Sequence, residues 1–494
     1  MLKPLSSSRW DYSTAAHLLN RAGFGGTPAE INQLVALGPE QAVASLLDYE
    51  NIPDPTPNPD WAHPDPDRMQ RYQQLRQAAT PEQRRQLQKE QNLFLQKSML
   101  ELRGWWLHRM AYGPRPFQEK MTLFWHGHFA TSMEKVRDPY YMWRQNDLFR
   151  RLATGNWELL LLEAGQDPAM LVWLDQAQSR KHHPNENFAR EVMELFALGE
   201  GHYTEHDITE AARALTGWSL DRTSQKYVYR PLLHDDGEKV FLGRRGNLDG
   251  HDVIAQIVAQ PQAARFITAK LWNYFTGQLP DAELNTALAA VFREHGNNFK
   301  PFLSVLFRSE EFYAPDLIRN QVKSPVQWLV GSVRMLECEL PPPLICLGML
   351  RQLGQDLFNP PNVKGWDGGI TWITTNTLLT RYNDAQSLVR GTTPNLTAAD
   401  FAAKAGGQGG QQVARLAQRL HMGGVVLEKI FTPAELARKN ELVAAVERRL
   451  LQAPLSGSQE QTLNDFLNSK PQLTHDDILT VIRLVMSTPE YQVA

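Results

Sequence analysis

Two histidines separated by one glycine form the first candidate site in this chain, because their residue types and spacing could bind a metal ion. His126, Gly127 and His128 lie in the segment FWHGHFATS (124–132). In an extended backbone, side chains two positions apart share one face, as two ligands of one metal ion must, and Gly127 allows the chain to leave a helix there. The alternative is that both histidines cap the C-terminal end of a helix. The pattern therefore predicts either a divalent metal site, completed by a carboxylate from elsewhere, or a helix end.

A polar stripe in the segment NENFAREVMEL (185–195) is the second candidate, and a helical wheel places it opposite Phe188 and Val192. Its polar members are Asn185, Glu186, Asn187, Arg190, Glu191 and Glu194. Spacing alone favours a face in water, because Glu and Arg four residues apart stabilise a solvated helix. The choice of residues, which includes no lysine, instead favours a hydrogen-bonded network around an internal site. Both interpretations remain open from the spacing.

Three His–Asp pairs are further acid–base candidates. Asp207 and Asp252 stand near predicted helix starts, where a capping role accounts for them. His234 and Asp235 have no such role and lie beside a predicted hairpin turn, so we rank this pair above the other two. The sequence has no Ser-His-Asp signature, Walker loop, CxxC or HExxH. No standard motif therefore identifies it as a peptidase, an NTPase or a redox enzyme.

The composition narrows the classes of protein that these residues can serve. A chain of 494 residues predicts roughly two or three lobes. A formal charge of −3 and a pI near 6.5 do not favour binding to nucleic acid or anionic lipid. With only two cysteines, Cys338 and Cys346, the chain cannot be a disulfide-rich scaffold, although one disulfide between them remains an alternative. The 13 tryptophans slightly favour a stacking ligand such as a sugar, although core filling is their commoner use.

The N-terminal segment MLKPLSSSRWDYSTAAHLL lacks the apolar stretch of a secretory signal. No apolar run approaches the roughly 20 residues of a membrane span. We therefore expect a soluble protein without a membrane span, located in the cytoplasm.

Helix start signals and apolar spacing predict a mainly α fold. Capping boxes stand at Thr27 and Thr432, and Thr80 begins a close variant. Apolar spacing predicts a long helix over 80–110, a helix around 117–124, and further helices over 185–198, 205–216, 252–275, 283–295, 300–308 and 324–336. The remaining prediction is one small β-hairpin near 226–243, with its turn at Asp236-Gly237.

Breaks in the helical pattern predict four parts of the chain. We expect an N-terminal helical hairpin (1–49), a Pro-rich linker or insertion (50–79), a main helical domain that carries the motifs (80–392) and a C-terminal helical subdomain packed on it (393–494), joined through GGQGGQQ (406–412). Within the main domain the segment FNPPNVKGWDGGITWI (358–373) has no regular structure. A long loop inside a compact domain is more often functional than a helix face is.

Several long motifs occur in one order along the chain. They are HLLNRAGFGGTPAEI (17–31), FWHGHFATS (124–132), PNENFAREVMELFALGEGHYTEHDITEAARALTGW (184–218), HDDGEKVFLG (234–243), PPNVKGWDGG (360–369) and TWITTNTLL (371–379). Together they resemble the bacterial domain-of-unknown-function family 1800, over nearly the whole chain. The resemblance implies a mainly helical protein without an agreed activity. It also implies a protein partner, because genes of this family often neighbour genes for sulfatase-like proteins, many of which carry export signals.

The resemblance also implies that the polar candidates belong to characteristic motifs, which favours one shared site. Our leading hypothesis is a hydrolase-like enzyme acting on a polar, carbohydrate-containing substrate. In it His126 and His128 hold a divalent metal or orient the substrate. The acid–base groups are Glu191, Glu194, His234 and Asp235. The substrate is bound by Glu186, Asn187, Arg190, Trp218 and Trp366, of which the two tryptophans form a stacking wall.

The competing hypothesis is a non-catalytic helical binding or assembly protein that partners the sulfatase-like family. Its polar stripe at 185–195 is then a structural network or an interface. Co-export with such a partner would place the protein in the periplasm. The two hypotheses differ in whether the motif side chains converge around a cavity.

Overall fold

The computed structural model of the chain describes residues 2–78, 80–394, 420 and 422–494. In it, capped helices begin at the positions that the sequence predicts. At Thr27 and Thr432 the hydroxyl accepts a backbone N–H from the glutamate three residues on, and that carboxylate accepts the threonine N–H in return. Thr80 accepts the backbone N–H of Gln83. The three predicted helix starts are therefore confirmed.

The first half of the chain forms helices joined by short connections. They are α1 (Tyr12–Ala22), α2 (Pro28–Leu47), α3 (Arg68–Gln77), α4 (Pro81–Tyr112), α5 (Pro116–His128), α6 (Met133–Val136), α7 (Pro139–Arg151), α8 (Trp157–Gly165), α9 (Pro168–Trp173), α10 (Glu186–Glu191) and α11 (Glu205–Ala214). Helix α10 continues directly into a π-helical segment, Val192–Ala197. A π-helix bonds residue i to i+5, so the side chains beyond Val192 depart from the regular wheel.

The second half is also helical. It contains α12 (Gly250–Ala259), α13 (Pro261–Thr276), α14 (Ala282–Glu294), α15 (Phe299–Phe307), α16 (Pro325–Met335), α17 (Pro343–Gln352), α18 (Thr375–Arg390), α19 (Leu427–Ile430), α20 (Pro433–Ala437), α21 (Lys439–Leu450), α22 (Gly457–Asn468) and α23 (His475–Met486). The predicted helix over 252–275 is divided at Pro261, which lacks the N–H that a continuous helix requires. The mainly α prediction is confirmed.

In the part of the chain that the structure describes, two small hairpins take the place of the single predicted one. Strand β1 (Trp218–Asp221) pairs antiparallel with β2 (Lys226–Tyr229), and β3 (Lys239–Phe241) pairs with β4 (Arg244–Gly246). The predicted turn at Asp236-Gly237 was wrong, because β2 pairs with the preceding strand and not with β3. The second hairpin instead turns at Leu242 and Gly243, which both have positive φ, as a two-residue type I′ turn requires.

Two apolar cores share helix α5. The first core is built mainly by α1, α2, α8 and α10–α15, and the second by α4, α16–α18 and the C-terminal helices. Met121 and Trp125 of α5 lie in the first core, whereas Leu123 lies in the second. Helix α5 therefore lies at the boundary between the cores, and its last turn carries His126 and His128.

The predicted loop over 358–373 is confirmed as irregular, with one short 3₁₀ turn at Gly369–Trp372. The predicted connection at 406–412 lies outside the described residues, so the division into four parts stays a prediction. Cys338 and Cys346 are both buried free thiols. A search of the described residues for a helix long and apolar enough to cross a membrane found none.

Candidate functional site

A pocket of about 670 Å³ lies where the two cores meet. It is lined by side chains of α5, α13, the segment 320–327 and the loop 364–372, and we call it the motif pocket. Three of the long sequence motifs contribute to its wall: Gly127 and His128 come from 124–132, Lys364 and Trp366 from 360–369, and Trp372 from 371–379. Its volume falls within the range of about 300–1,000 Å³ that is typical of small-molecule sites.

A close contact between two glycines joins the first two of these motifs. Gly365 has φ +88°, and a Cβ at this position would overlap the carbonyl oxygen of Gly127. Only glycine accepts both the left-handed backbone and this approach. The chain just before the loop is held by Ser132, whose hydroxyl donates to Asn359 Oδ1 at 2.8 Å, and by a backbone bond from Met133 to Phe358. The loop therefore carries its side chains directly over the end of α5.

The π-helical segment supplies the partners of two pocket side chains. Lys270 Nζ donates to the carbonyl oxygen of Leu195 at 3.0 Å and lies 3.4 Å from His128 Nδ1. His128 Nε2 lies 2.9 Å from the carbonyl oxygen of Phe196. A carbonyl can only accept, so Nε2 carries the proton and Nδ1 is the acceptor that faces Lys270. Carbonyls at the end of a helix lack intrahelical partners, which explains why an amine and an imidazole bind there.

Burial shifts the protonation of both groups toward their neutral forms. It lowers the pKa of Lys270 to about 8. Burial, followed by the charge of Lys270, holds the pKa of His128 well below its usual range. A neutral His128 agrees with its hydrogen bonds. Lys270 is only partly buried and lines the pocket, so its amine titrates near neutral pH within reach of a ligand.

Two further lysines lie deeper in the wall. The amine of Lys120 donates to Gln327 Oε1, and that of Lys323 donates to the carbonyl oxygen of Tyr491 at 2.8 Å. Burial lowers the pKa of each to about 7, with a smaller contribution from Arg21 at Lys120 and from other arginines at Lys323. The sequence analysis missed these lysines.

A sequence model of the family described as "Protein of unknown function (DUF1800)" matches residues 17–493 of the 494. The chain belongs to this family. No curated protein and no solved structure matches the chain. The segments that build the motif pocket of this DUF1800 protein all lie inside the matched range.

His126 does not share a site with His128 in the DUF1800 protein. Both lie in the last turn of α5, which confirms a helix end and overturns the extended backbone that a metal pair required. Side chains two apart on a helix point roughly 200° apart. His126 packs against Trp106 and Phe358, and Asn146 Nδ2 donates to its Nε2 at 3.0 Å. Among the described residues no three His, Cys, Asp or Glu side chains form a group that could hold a metal ion.

The burial of His126 has a direct effect on its charge. Burial, with a smaller contribution from the charge of Arg150, lowers the pKa of His126 to about 3. Its imidazole is therefore neutral and enclosed, and it belongs to the helix packing.

Three of the six side chains in the polar stripe lie at the surface. Glu186 and Asn187 are exposed, and Arg190 forms a two-pronged surface pair with Glu205 at 2.8 and 2.7 Å. Glu194 accepts the hydroxyl of Tyr203 at 2.8 Å. This is the outcome that the spacing favoured, and Glu186, Asn187 and Arg190 do not line the motif pocket.

Glu191 is the member of the stripe whose charge couples to the motif pocket. It is partly buried, and its carboxyl interacts electrostatically with Lys364 of the pocket wall. Burial and the neighbouring Glu194 raise the pKa of Glu191, while the charges of Lys364 and Arg190 lower it by less. The charge of one acid–base candidate therefore couples to a lysine of the pocket wall, although Glu191 itself does not line the pocket.

His234 and Asp235 belong to a local structural network. Asp235 binds Arg213 with two hydrogen bonds of 2.9 and 3.1 Å, which hold the pKa of its carboxyl below the usual range. His234 is buried, and its Nδ1 lies 2.9 Å from the carbonyl oxygen of Thr216. The pair fixes the segment between β2 and β3 on α11 and does not line the motif pocket.

Of the two tryptophans predicted to form a stacking wall, Trp366 lines the motif pocket and Trp218 does not. Trp218 is 1% exposed and its ring lies against Gly165 and Gly250, so it offers no face to a ligand and the prediction of a stacking role for it was wrong. Trp366 is partly buried in the pocket wall, together with Trp372. Trp366 therefore lines the motif pocket, and its stacking role stays a prediction.

Sequence signals for the missed lysines exist. Lys120 precedes His128 by eight residues, so both lie on one side of α5. Lys270 is the single charged residue in the apolar stretch FITAKLWNYF (266–275), where an amine interrupts a core-facing pattern. A lone charge inside an apolar helix is the feature that could have identified the site.

Proposed function

We propose that this DUF1800 protein is a hydrolase-like enzyme that acts on a polar, carbohydrate-containing substrate in the motif pocket. The observation that supports this best is the contact of 3.4 Å between Lys270 Nζ and His128 Nδ1 at the pocket wall. An amine with a pKa near the operating pH is a suitable general base, and lysines reach that range through burial.

The proposed reaction uses Lys270 as base and then as acid. Its neutral amine takes a proton from a water molecule while the oxygen of that water bonds to the electrophilic atom of the substrate. The bond from that atom to the leaving oxygen breaks, and the leaving oxygen receives the proton back from the Lys270 ammonium. One water is added across one bond. His128 is a positioning residue, because its unprotonated Nδ1 accepts from the amine and fixes its direction.

The remaining wall suits a polar ring. Trp366 and Trp372 present flat apolar surfaces against which the face of a sugar can pack. Asn273, Asn320 and Gln321 add amide donors and acceptors that match hydroxyl groups. Glu191 is the proposed second acid–base group, since its carboxyl has a raised pKa and lies near Lys364.

The test is hydrolysis of a panel of chromogenic glycosides and sugar esters by the full chain and by Lys270→Met. We expect a rate that rises with pH and levels off above about 8, following the pKa of Lys270. The substitution should lower kcat roughly 100-fold or more, as loss of a general base does. The matched control is Lys226→Met, which removes an exposed lysine from β2 outside the pocket. Full activity of Lys270→Met on a hydrolysed substrate would overturn the proposal.

Exposed apolar side chains favour a second candidate function, the binding of a sulfatase-like partner by a non-catalytic protein. Leu93 and Phe94 on α4 are 56% and 46% exposed, and Met69 on α3 is 40% exposed. Apolar groups on adjacent helices are a common feature of contact surfaces. Leu93→Ser with Phe94→Ser should abolish a stoichiometric complex in a pull-down with that partner. Cell fractionation of the same strains tests the cytoplasm against the periplasm, which co-export would produce.

A further inference from the structure

We propose that the substrate bound in the motif pocket is an anionic sugar, one that carries carboxylate or phosphate groups. This inference rests on the proposed function for its location and adds the charge of the substrate. The decisive feature is the mismatch of charges in the pocket wall.

Lysines outnumber carboxylates in this wall. Its charged side chains are Lys120, Lys270, Lys323, Lys364 and Asp367, with His128 held neutral. Among the described residues, no carboxylate lies within ion-pair distance of any of these four lysines. Arg21 increases the excess, because its buried guanidinium donates to Asn320 Oδ1 of the same wall at 2.7 Å.

An excess of buried amines is costly without an anion. An ammonium taken out of water loses hydration that only a negative charge or several acceptors can replace. Burial accordingly lowers the pKa of Lys120 and Lys323 to about 7, so these amines are partly neutral at pH 7. A bound anion would reverse that shift, because an opposite charge nearby favours the protonated form. Binding should therefore be accompanied by proton uptake.

The amines have donors left for a ligand. A lysine ammonium has three N–H groups. Among the described residues, Lys120 Nζ has one hydrogen-bond acceptor, Gln327 Oε1, and Lys323 Nζ likewise has one, the carbonyl oxygen of Tyr491. At pH 7, below its pKa of about 8, Lys270 is an ammonium that uses one N–H for Leu195, directs one at His128 and has the third left. Oxygens of a carboxylate or phosphate are strong acceptors for the rest.

The size of the pocket indicates that the anion is part of a larger molecule. A single carboxylate or phosphate group would occupy a small part of about 670 Å³. The amide side chains and Trp366 line the remaining space, and they suit hydroxyl groups and a ring face. An anionic sugar meets both requirements.

The experiment is titration calorimetry of the full chain at pH 7 with glucuronate, glucose 6-phosphate and glucose, each in two buffers of different ionisation enthalpy. We expect at least one anion to bind tenfold or more tightly than glucose, with net proton uptake and an affinity that falls with added salt. Binding of glucuronate alone assigns a carboxylate, and binding of glucose 6-phosphate alone assigns a phosphate.

Two variants keep the test independent of folding. Lys364→Gln removes an exposed pocket lysine, and Lys270→Met removes a partly buried one; each should weaken anion binding about tenfold, whereas Lys226→Met should not change it. Equal binding of glucose and both anions, or no anion binding at millimolar concentration, would overturn the inference. Anion binding without any hydrolysis would support the inference and contradict the proposed function. Hydrolysis of neutral sugars without anion preference would do the reverse.

Discussion

Helix α5 buries a carboxylate at Glu119 and an amine at Lys120, and these neighbouring side chains meet opposite surroundings. Glu119 accepts hydrogen bonds from Arg109 at 2.8 Å, from Arg150 at 2.7 and 3.0 Å and from Trp106 at 2.9 Å. Arg109 also pairs with Asp54, so two arginines face two carboxylates. We call these residues the glutamate cluster. Lys120, by contrast, lies in a wall of lysines beside a pocket.

The contrast between the two regions shows that buried charged groups can serve either stability or function. The glutamate cluster is balanced, enclosed and fully bonded, as a structural network must be. The motif pocket is unbalanced and open to a ligand, and perturbed groups of that kind concentrate at functional sites. His126 lies on the side of the cluster, through Asn146 and Arg150, whereas His128 lies on the side of the pocket.

The largest expected effect is on the glutamate cluster, from Glu119→Gln. Removing the charge leaves the buried guanidinium of Arg150 without a carboxylate partner and leaves Arg109 with Asp54 alone, so the free energy of unfolding should fall by about 3–5 kcal/mol. Urea unfolding at pH 7 measures this, with the exposed Glu294→Gln of α14 as the matched control. A change no larger than that of the control would show that the cluster does not stabilise the fold.

The same cluster should make the protein sensitive to acid. Its arginines lower the pKa of Glu119 despite full burial. A carboxyl whose folded pKa is depressed contributes stability that is present above its unfolded pKa, about 4.3, and lost as the pH falls through the folded value. The stability of the native chain should therefore drop below about pH 4 more steeply than that of Glu119→Gln. Equal slopes would contradict the assignment.

The motif pocket should give a pH dependence of the same sign in a different window, at alkaline instead of acid pH. Lys270 has a folded pKa of about 8, below its unfolded value of about 10.4, so the unfolded chain binds more protons between these values. Unfolding free energy should rise with pH in this window, by at most about 1.4 kcal/mol per pH unit for one lysine. Lys270→Met should reduce that slope without a loss of stability at pH 7. Urea titrations at pH 7, 8 and 9 measure both quantities, and an unchanged slope would refute the shift.

A smaller effect is expected at the join between the two motifs. Gly365→Ala places a Cβ against Gly127 and forces a left-handed backbone on a residue that rarely adopts it, at a cost of roughly 1–3 kcal/mol. Because the loop is exposed, we expect it to shift. The loss of binding free energy for the anionic sugar should therefore exceed the loss of unfolding free energy. Gly201→Ala is the matched control, with a similar φ of +80° and no atom near the added Cβ. Equal losses of affinity would show that strain alone acts.

The sequence could predict the elements better than the site. Capping boxes and apolar spacing located the helices, because those signals are local and act within one or two turns. The motif pocket depends on contacts across the chain, such as Lys270 with Leu195 and Gly127 with Gly365, which no local pattern reveals. The regular wheel also failed beyond Val192, where the helix becomes π-helical and its carbonyls turn to the pocket.

Composition misdirected the choice of side chains. The sequence points to histidines and carboxylates as the chemistry-bearing residues, but His126 and Asp235 are bonded within structural networks. The lysines were overlooked because lysine is usually a surface residue. The position of Lys120 on the side of α5 that carries His128 is a weak signal, and burial, which the fold determines, is what clearly separates it from the lysines that face water.

The smallest expected effect comes from Glu191→Gln, which removes a carboxylate that couples electrostatically to Lys364 of the pocket wall. The carboxylate of Glu191 interacts with Lys364, so it competes with an anionic ligand for the same positive charge. Neutralising it should strengthen binding of the anionic sugar by roughly twofold, in keeping with a partly exposed charge pair. Because Glu191 is also the proposed second acid–base group, kcat should fall while KM falls too. Glu205→Gln, an exposed carboxylate that pairs with Arg190, is the control and should leave the affinity unchanged. Weaker anion binding by Glu191→Gln would mean that this carboxylate orients Lys364 for the ligand and does not compete with it.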